Sequence, residues 1–169
     1  MGEPIKIVPY NADWADTFSR LRDFVAPALG HIALTIEHVG STSVPGLAAK
    51  PIIDIDVVVA SIENVPTAVE RLESLGYRHE GDLGIPGREA FRAPEGLPDH
   101  HLYVCSADTP ALMKHLMFRD YLRSHPDEAK AYGELKMALV DLFTHDREAY
   151  TESKSAFVNS RLKRAGWNE

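Results

Sequence analysis

The chain of 169 residues contains a single cysteine, Cys105. One thiol excludes an intramolecular disulfide framework and suits a reducing compartment. Its place in the apolar run HLYVCS predicts a buried, inert thiol rather than a nucleophile. Long apolar runs are also lacking. No stretch approaches the ~20 residues of a membrane-spanning helix, and the first residues, MGEPIKIVPY, contain no signal-peptide core. Together these absences predict a cytoplasmic protein with no membrane association. Basic residues are the minority charge: 18 Lys and Arg against 25 Asp and Glu, a formal net charge of -7. General nucleic-acid binding needs clustered basic side chains and is not expected here. A small anionic substrate in a local basic pocket remains compatible with this balance. Repeats, low-complexity segments and linkers are absent as well, so residues 1–169 read as one domain. A 44% hydrophobic content with 25% charged residues is sufficient for a core.

What is present centres on residues 36–59, IEHVGSTSVPGLAAKPIIDIDVVV. This stretch reads as strand, glycine and hydroxyl turn, then a second strand over 52–59. Alternation along that strand puts Asp54 and Asp56 on one face and Ile53, Ile55 and Val57 on the other. Two carboxylates within a β-branched run need a cationic partner if they are buried, and a hard divalent ion such as Mg²⁺ or Mn²⁺ takes oxygen ligands. The alternative is a solvated or lysine-paired face. The turn Gly40-Ser41-Thr42-Ser43 has the backbone N–H groups and hydroxyls of a phosphate cradle. The alternative here is a tight connection whose hydroxyls cap local structure. It is not a P-loop: five residues separate its glycines, and no Lys-Ser or Lys-Thr pair follows.

The remaining chain alternates strands and helices. A short strand is expected over 5–8 and a helix over 13–29, with Trp14, Phe18, Leu21, Val25 and Ala28 as its apolar stripe. Residues 47–50 suggest one helical turn, and 61–75 a helix capped by Gly76. A short strand over 77–79, a loop over 80–88 and a hairpin of 89–92 with 101–105 follow. Asp108 or Thr109 caps a helix that begins at Pro110, with Leu112, Met113, Leu116 and Met117 inward. Two more helices start at Pro126 and Arg147. This pattern predicts an α+β domain: a mixed sheet with helices on one face and a C-terminal helical segment.

A glycine-serine turn before an acid-x-acid strand resembles the signature of the nucleotidyltransferase superfamily. The block EHVGSTSVPGLAAKPIIDI resembles, more closely, the centre of the GrpB family, an uncharacterised family with a nucleotidyltransferase-like fold. Tyr10 with Trp14, HHLYV, FRDYLRSHP, Tyr132 with Lys136 and Tyr150 with Lys154 carry the resemblance over nearly the whole chain. It implies a metal-dependent nucleotidyltransferase or related phosphoryl-handling enzyme acting on a small substrate. Asp54 and Asp56 would hold the metal, and Gly40, Ser41, Thr42 and Ser43 the nucleotide phosphates. The superfamily's third acid lies on a later strand; that strand here carries His101 and Tyr103, so His101 is the expected substitute. The family's domain also occurs fused to dephospho-CoA kinase. A second expectation is therefore a catalytically silent domain that binds a nucleotide or a protein partner, as a folding or regulatory module linked to coenzyme A biosynthesis.

Lys50, Arg88, Arg92, Lys136 and Lys154 are the candidate phosphate clamps. Tyr132 with Lys136, and Tyr150 with Lys154, share helical faces at a spacing of four. Tyrosine at the core edge with lysine as cover explains the same pairs without a ligand. His38 precedes the glycine turn and is expected at the mouth of the site, whereas His100 is expected in solvent. A histidine-based phosphohydrolase would require His38 and His101 to converge on Asp54.

Overall fold

A computed structural model describes residues 4–168. Helix α1 (Asp13–Leu29) is followed by β1 (Ala33–Val39) and β2 (Ile53–Val59). Helix α2 (Val65–Glu73), β3 (Arg78–Gly81), β4 (Arg88–Arg92) and β5 (His100–Ser106) come next. Three helices end the chain: α3 (Pro110–Ser124), α4 (Pro126–Leu142) and α5 (Arg147–Arg164). The five strands form one mixed sheet in the order β1-β2-β5-β4-β3. Only the central pair, β2 with β5, is parallel. None of the described helices is long and apolar enough to cross a membrane.

The alternation in β2 divides the molecule. Ile53, Ile55, Val57 and Val59 point into the main core with Leu102 and Val104 of β5. The apolar stripe of α1 and the Ala68–Leu72 face of α2 cover them. Trp14 belongs to this stripe, which accounts for it without a stacking role. The opposite face carries Asp54 and Asp56. Helix α3 covers its end through Leu112, packed on Val58 and Cys105. Cys105 is buried, and burial pushes its thiol up to about 12.

Several local expectations are corrected. Residues 5–8 form no strand; a single bridge joins Val8 to Ala49. The short helical turn falls at Ser41–Ser43, before Pro45, rather than over 47–50. Met113 is exposed, because α3 rests on the sheet through Leu112 and on α4 and α5 through other positions. The helix expected over 61–75 opens with a 3₁₀ turn, Ile62–Asn64, whose Ser61 and Asn64 bond reciprocally.

One connection positions the two halves of the site. Gly40 leaves β1 with φ 75° and ψ -177°, a backbone region almost exclusive to glycine. A Cβ there would overlap Asp54 Oδ2 and reach 3.0 Å from Asp54 Cβ and Cγ. The absent side chain is thus what lets the turn lie against the acid strand. Gly46 also has positive φ, 83°, but nothing lies within 4 Å of its Cβ position. Gly46→Ala therefore isolates the backbone cost of about 1–2 kcal/mol. Gly40→Ala is expected to cost at least twice as much in urea unfolding. Equal costs would show that the turn does not press on Asp54.

Candidate functional site

The open face of the sheet is built by strand register. Asp54 lies beside His101 and Asp56 beside Tyr103 across the parallel β2–β5 pair. Asp54 Oδ1 accepts a hydrogen bond from His101 Nδ1 at 2.9 Å. That bond raises the His101 pKa, against an opposing contribution from burial. Asp56 is fully enclosed, and its Oδ2 accepts from His115 Nδ1 at 2.8 Å. Burial lowers the tendency of His115 to charge, but the hydrogen bond and charge of Asp56, with Asp54 beyond, raise its pKa overall. Each acid of the strand thus carries its own histidine. Asp56 Oδ1 has no hydrogen-bond partner among the described residues.

The Gly40–Ser43 turn divides its hydroxyls between two tasks. Ser43 Oγ donates to Gly40 O at 2.5 Å, and Thr42 Oγ1 pairs with His38 Nε2 at 2.9 Å. These two hydroxyls brace the turn. Ser41 faces the other way and accepts from Lys136 Nζ at 2.8 Å. Two arginines of α3 hold the turn from outside: Arg119 donates to His38 O at 3.1 Å and to Glu37, and Arg123 donates to Ser43 O at 2.9 Å. The FRDYLR stretch is therefore a clamp on the β1 end of the site.

Lys50, Lys136 and Lys154 converge with Ser41, Asp54 and His101 on a pocket of about 220 Å³. Lys136 is only 2% exposed. Burial, and then the charges of Lys154 and Lys50, pull its pKa down to about 7. Burial also lowers Lys154, with Lys50 next in effect, and lowers Lys50, with Arg147 next. The Nζ atoms of Lys50 and Lys154 lie 4.8 and 5.0 Å from the Tyr150 ring centre, and that of Lys136 lies 4.8 Å from Tyr132. Each tyrosine of the spacing-of-four pairs supports its lysine by a cation–π contact. Three ammonium groups around one small cavity repel one another, and an anion among them would relieve that repulsion.

Not every candidate residue reaches this pocket. Arg92 is 68% exposed at the end of β4, 3.8 Å from Glu80, and lines neither this pocket nor the larger cleft beside it. Arg88 instead packs its guanidinium 4.2 Å from the Tyr103 ring centre, and its buried Nε has no described partner. His38 is not at the mouth of the site. It is buried, stacked on Phe18 at 4.7 Å, and burial, then Arg123, depress its pKa to about 4. His100, expected in solvent, is buried between the Tyr77 hydroxyl at 2.7 Å and Pro98 O at 2.6 Å. His115, the partner of Asp56, was not foreseen. Nothing local in MKHLM marks it; only the docking of α3 brings it 59 residues along the chain to Asp56.

The GrpB protein family model matches residues 4–164. The UPF0157 protein YqkA of Bacillus subtilis is 36% identical over 161 residues, 95% of this chain. The chain spans 47% of that relative's length. A dephospho-CoA kinase of Mycolicibacterium paratuberculosis is 26% identical over 187 residues, covering 96% of this chain and 46% of the kinase. The crystal structure of the conserved protein GrpB from Enterococcus faecalis superposes with a TM-score of 0.84 at 35% identity, covering 95% of this chain and 96% of that one. The MgGTP-bound Cid1 poly(U) polymerase superposes with a TM-score of 0.55 at 16% identity, covering 80% of this chain and 43% of the polymerase. That likeness shows a nucleotidyltransferase-like fold and no more. Matched across nearly its whole length by the family model and by the Enterococcus structure, the chain belongs to the GrpB protein family.

Proposed function

We propose that the lysine pocket binds the phosphates of a nucleotide or related small anion, and that the protein is a nucleotidyltransferase-like phosphoryl-handling enzyme. The observation that carries this reading is the convergence of Lys50, Lys136 and Lys154 beside Asp54, under the Ser41 hydroxyl. Ammonium groups facing phosphate make charge-assisted contacts stronger than neutral hydrogen bonds. Ser41 and the three lysines would bind and orient the anion. His101 is a positioning residue: its bond to Asp54 Oδ1 fixes the rotamer of the carboxylate that opens on the pocket.

The donor set fits a divalent ion such as Mg²⁺ or Mn²⁺ in a restricted way. Asp54 borders the pocket, and the enclosed Asp56 Oδ1 is an oxygen in want of a partner. No group of three or more His, Cys, Asp and Glu side chains is arranged to hold a metal among the described residues. One or two carboxylates completed by substrate phosphate oxygens is the usual Mg²⁺ arrangement. Asp54, with Asp56, would hold the ion, which neutralises charge on the phosphoryl group when bound.

A second reading is a catalytically silent module that binds a nucleotide or protein partner. The similarity to part of a dephospho-CoA kinase, and His101 at the place of a third acid, favour it. Thermal-shift titration with nucleoside triphosphates, with and without Mg²⁺ or Mn²⁺, tests whether nucleotide binding depends on the metal. Asp54→Asn is expected to abolish metal-dependent stabilisation by nucleotide while the protein stays folded. Identical metal-dependent stabilisation in variant and wild type would remove Asp54 from that role.

Lys136 yields a pH dependence whose sign is fixed. In the free protein it loses its proton near pH 7, whereas an unfolded lysine keeps it to about 10. Folding therefore releases a proton between these values, and the Lys136 contribution makes stability rise with pH across that window. Bound phosphate favours the charged ammonium, so above pH 7 binding must take up a proton. Phosphate affinity measured by calorimetry should fall between pH 7 and 9, by up to about tenfold per unit. Lys136→Met should bind more weakly and lose this component, yet be more stable at pH 7. A wild-type affinity independent of pH over this range would place the anion elsewhere.

A further inference from the structure

A second opening adjoins the lysine pocket and has a different character. It is a cleft of about 660 Å³ between α3 and α5, within the size range of small-molecule sites. The two openings share Ser41, Asp54 and Lys154. Away from that shared end the walls are apolar: Val44, Phe118 and Leu122 on one side, Val158 and Leu162 on the other, with Ile85 at the rim. The polar side chains along the wall include Lys114, whose Nζ lies 5.3 Å from the Trp167 ring centre, and two groups already bonded within the protein. Arg119 is bonded to Glu37, Asp120 and His38 O, and His115 Nδ1 is bonded to Asp56. Asn159 lies at an exposed position. Such a wall offers little to read the edge of a nucleobase, whose discrimination depends on paired hydrogen bonds. It suits a body recognised by shape and apolar burial.

We infer that the cleft and the lysine pocket form one composite site for an amphiphilic phosphate ester, its phosphate among Lys50, Lys136 and Lys154 and its aliphatic body between α3 and α5. The geometry requires it to pass the shared end, so its polar-to-apolar junction lies over Ser41 and Asp54. This inference rests on the lysine pocket holding phosphate. It adds that the rest of the ligand is apolar and is bound by the C-terminal helices rather than by the sheet.

The test is calorimetric titration with inorganic phosphate and with butyl, hexyl and octyl phosphate, alongside adenosine monophosphate. Affinity should rise roughly fourfold per added methylene, the factor equivalent to burying one CH₂. Adenosine monophosphate should bind more weakly than octyl phosphate. Val158→Trp fills the cleft from α5, and Ala111→Phe fills it from α3, so an unstable variant on one wall leaves the other. Either should flatten the alkyl series and leave inorganic phosphate affinity unchanged. A flat series in the wild type overturns the inference. So does a chain-length increment that survives in a folded, filled variant, or adenosine monophosphate binding more tightly than octyl phosphate. A chain-length effect without detectable binding of inorganic phosphate supports the apolar cleft and removes the phosphate pocket, so the two readings fail separately.

Discussion

Two carboxylates on the face of a central strand are the constraint around which the molecule is built. A sheet interior cannot hold the enclosed Asp56 unpaired without several kcal/mol of desolvation cost, and Asp54, part-covered at the pocket, adds a second negative charge two residues away. The fold meets this with histidines from two directions: His101 from the neighbouring strand and His115 from the helix above. The lysines add a third source of positive charge, brought by α4, α5 and the chain just before β2. The helical segment after β5 is therefore not a simple cover. It completes the electrostatics of a sheet face that would be unfavourable alone.

The same helices impose a cost in the opposite sense. Burial depresses the pKa of Lys136, and the charges of Lys154 and Lys50 lower it further, against an opposing pull from Asp54. A site tuned only for stability would place an apolar side chain there. Retaining charge in an enclosed position is typical of functional sites, where binding strength is gained at the expense of the free protein. The tyrosine rings beneath the lysines moderate this, since each offers its face to a cation that has lost part of its water.

The parts of this arrangement that are local in sequence were legible in it. The period-two alternation of residues 53–59 placed the acids on one face, and the glycine and hydroxyl turn before them marked the connection between two strands. The apolar stripe of α1 and the proline starts of α3 and α4 were equally clear. The spacing of four put each tyrosine beside its lysine. What failed depended on docking. His38 was placed at the mouth of the site by its closeness to the glycine turn, and His100 in solvent, whereas both are satisfied inside the protein by a ring or hydroxyl from another element. Arg92 ends β4 opposite Arg78 of the edge strand β3, a position fixed by sheet register rather than by its neighbours in sequence. His115 and the apolar cleft exist only once α3 has settled over β1 and β2.

The parallel pairing of β2 with β5 also governs when the site can exist. Asp54 and His101 are 47 residues apart, Asp56 and His115 are 59, and Ser41 and Lys136 are 95. Each contact closes a large loop of chain, and such closures pay their entropy before any stabilisation returns. Hairpins β1–β2 and β4–β5 require only short closures and can assemble early. Until they meet, Asp54 and Asp56 stand on a two-stranded ribbon without either histidine, and Lys136 and Lys154 belong to detached helices. A partly folded chain therefore carries the two acids and two of the three lysines on separate elements. Ligand-binding capacity then arrives in the final folding step, together with the whole tertiary structure, rather than accumulating as the sheet grows.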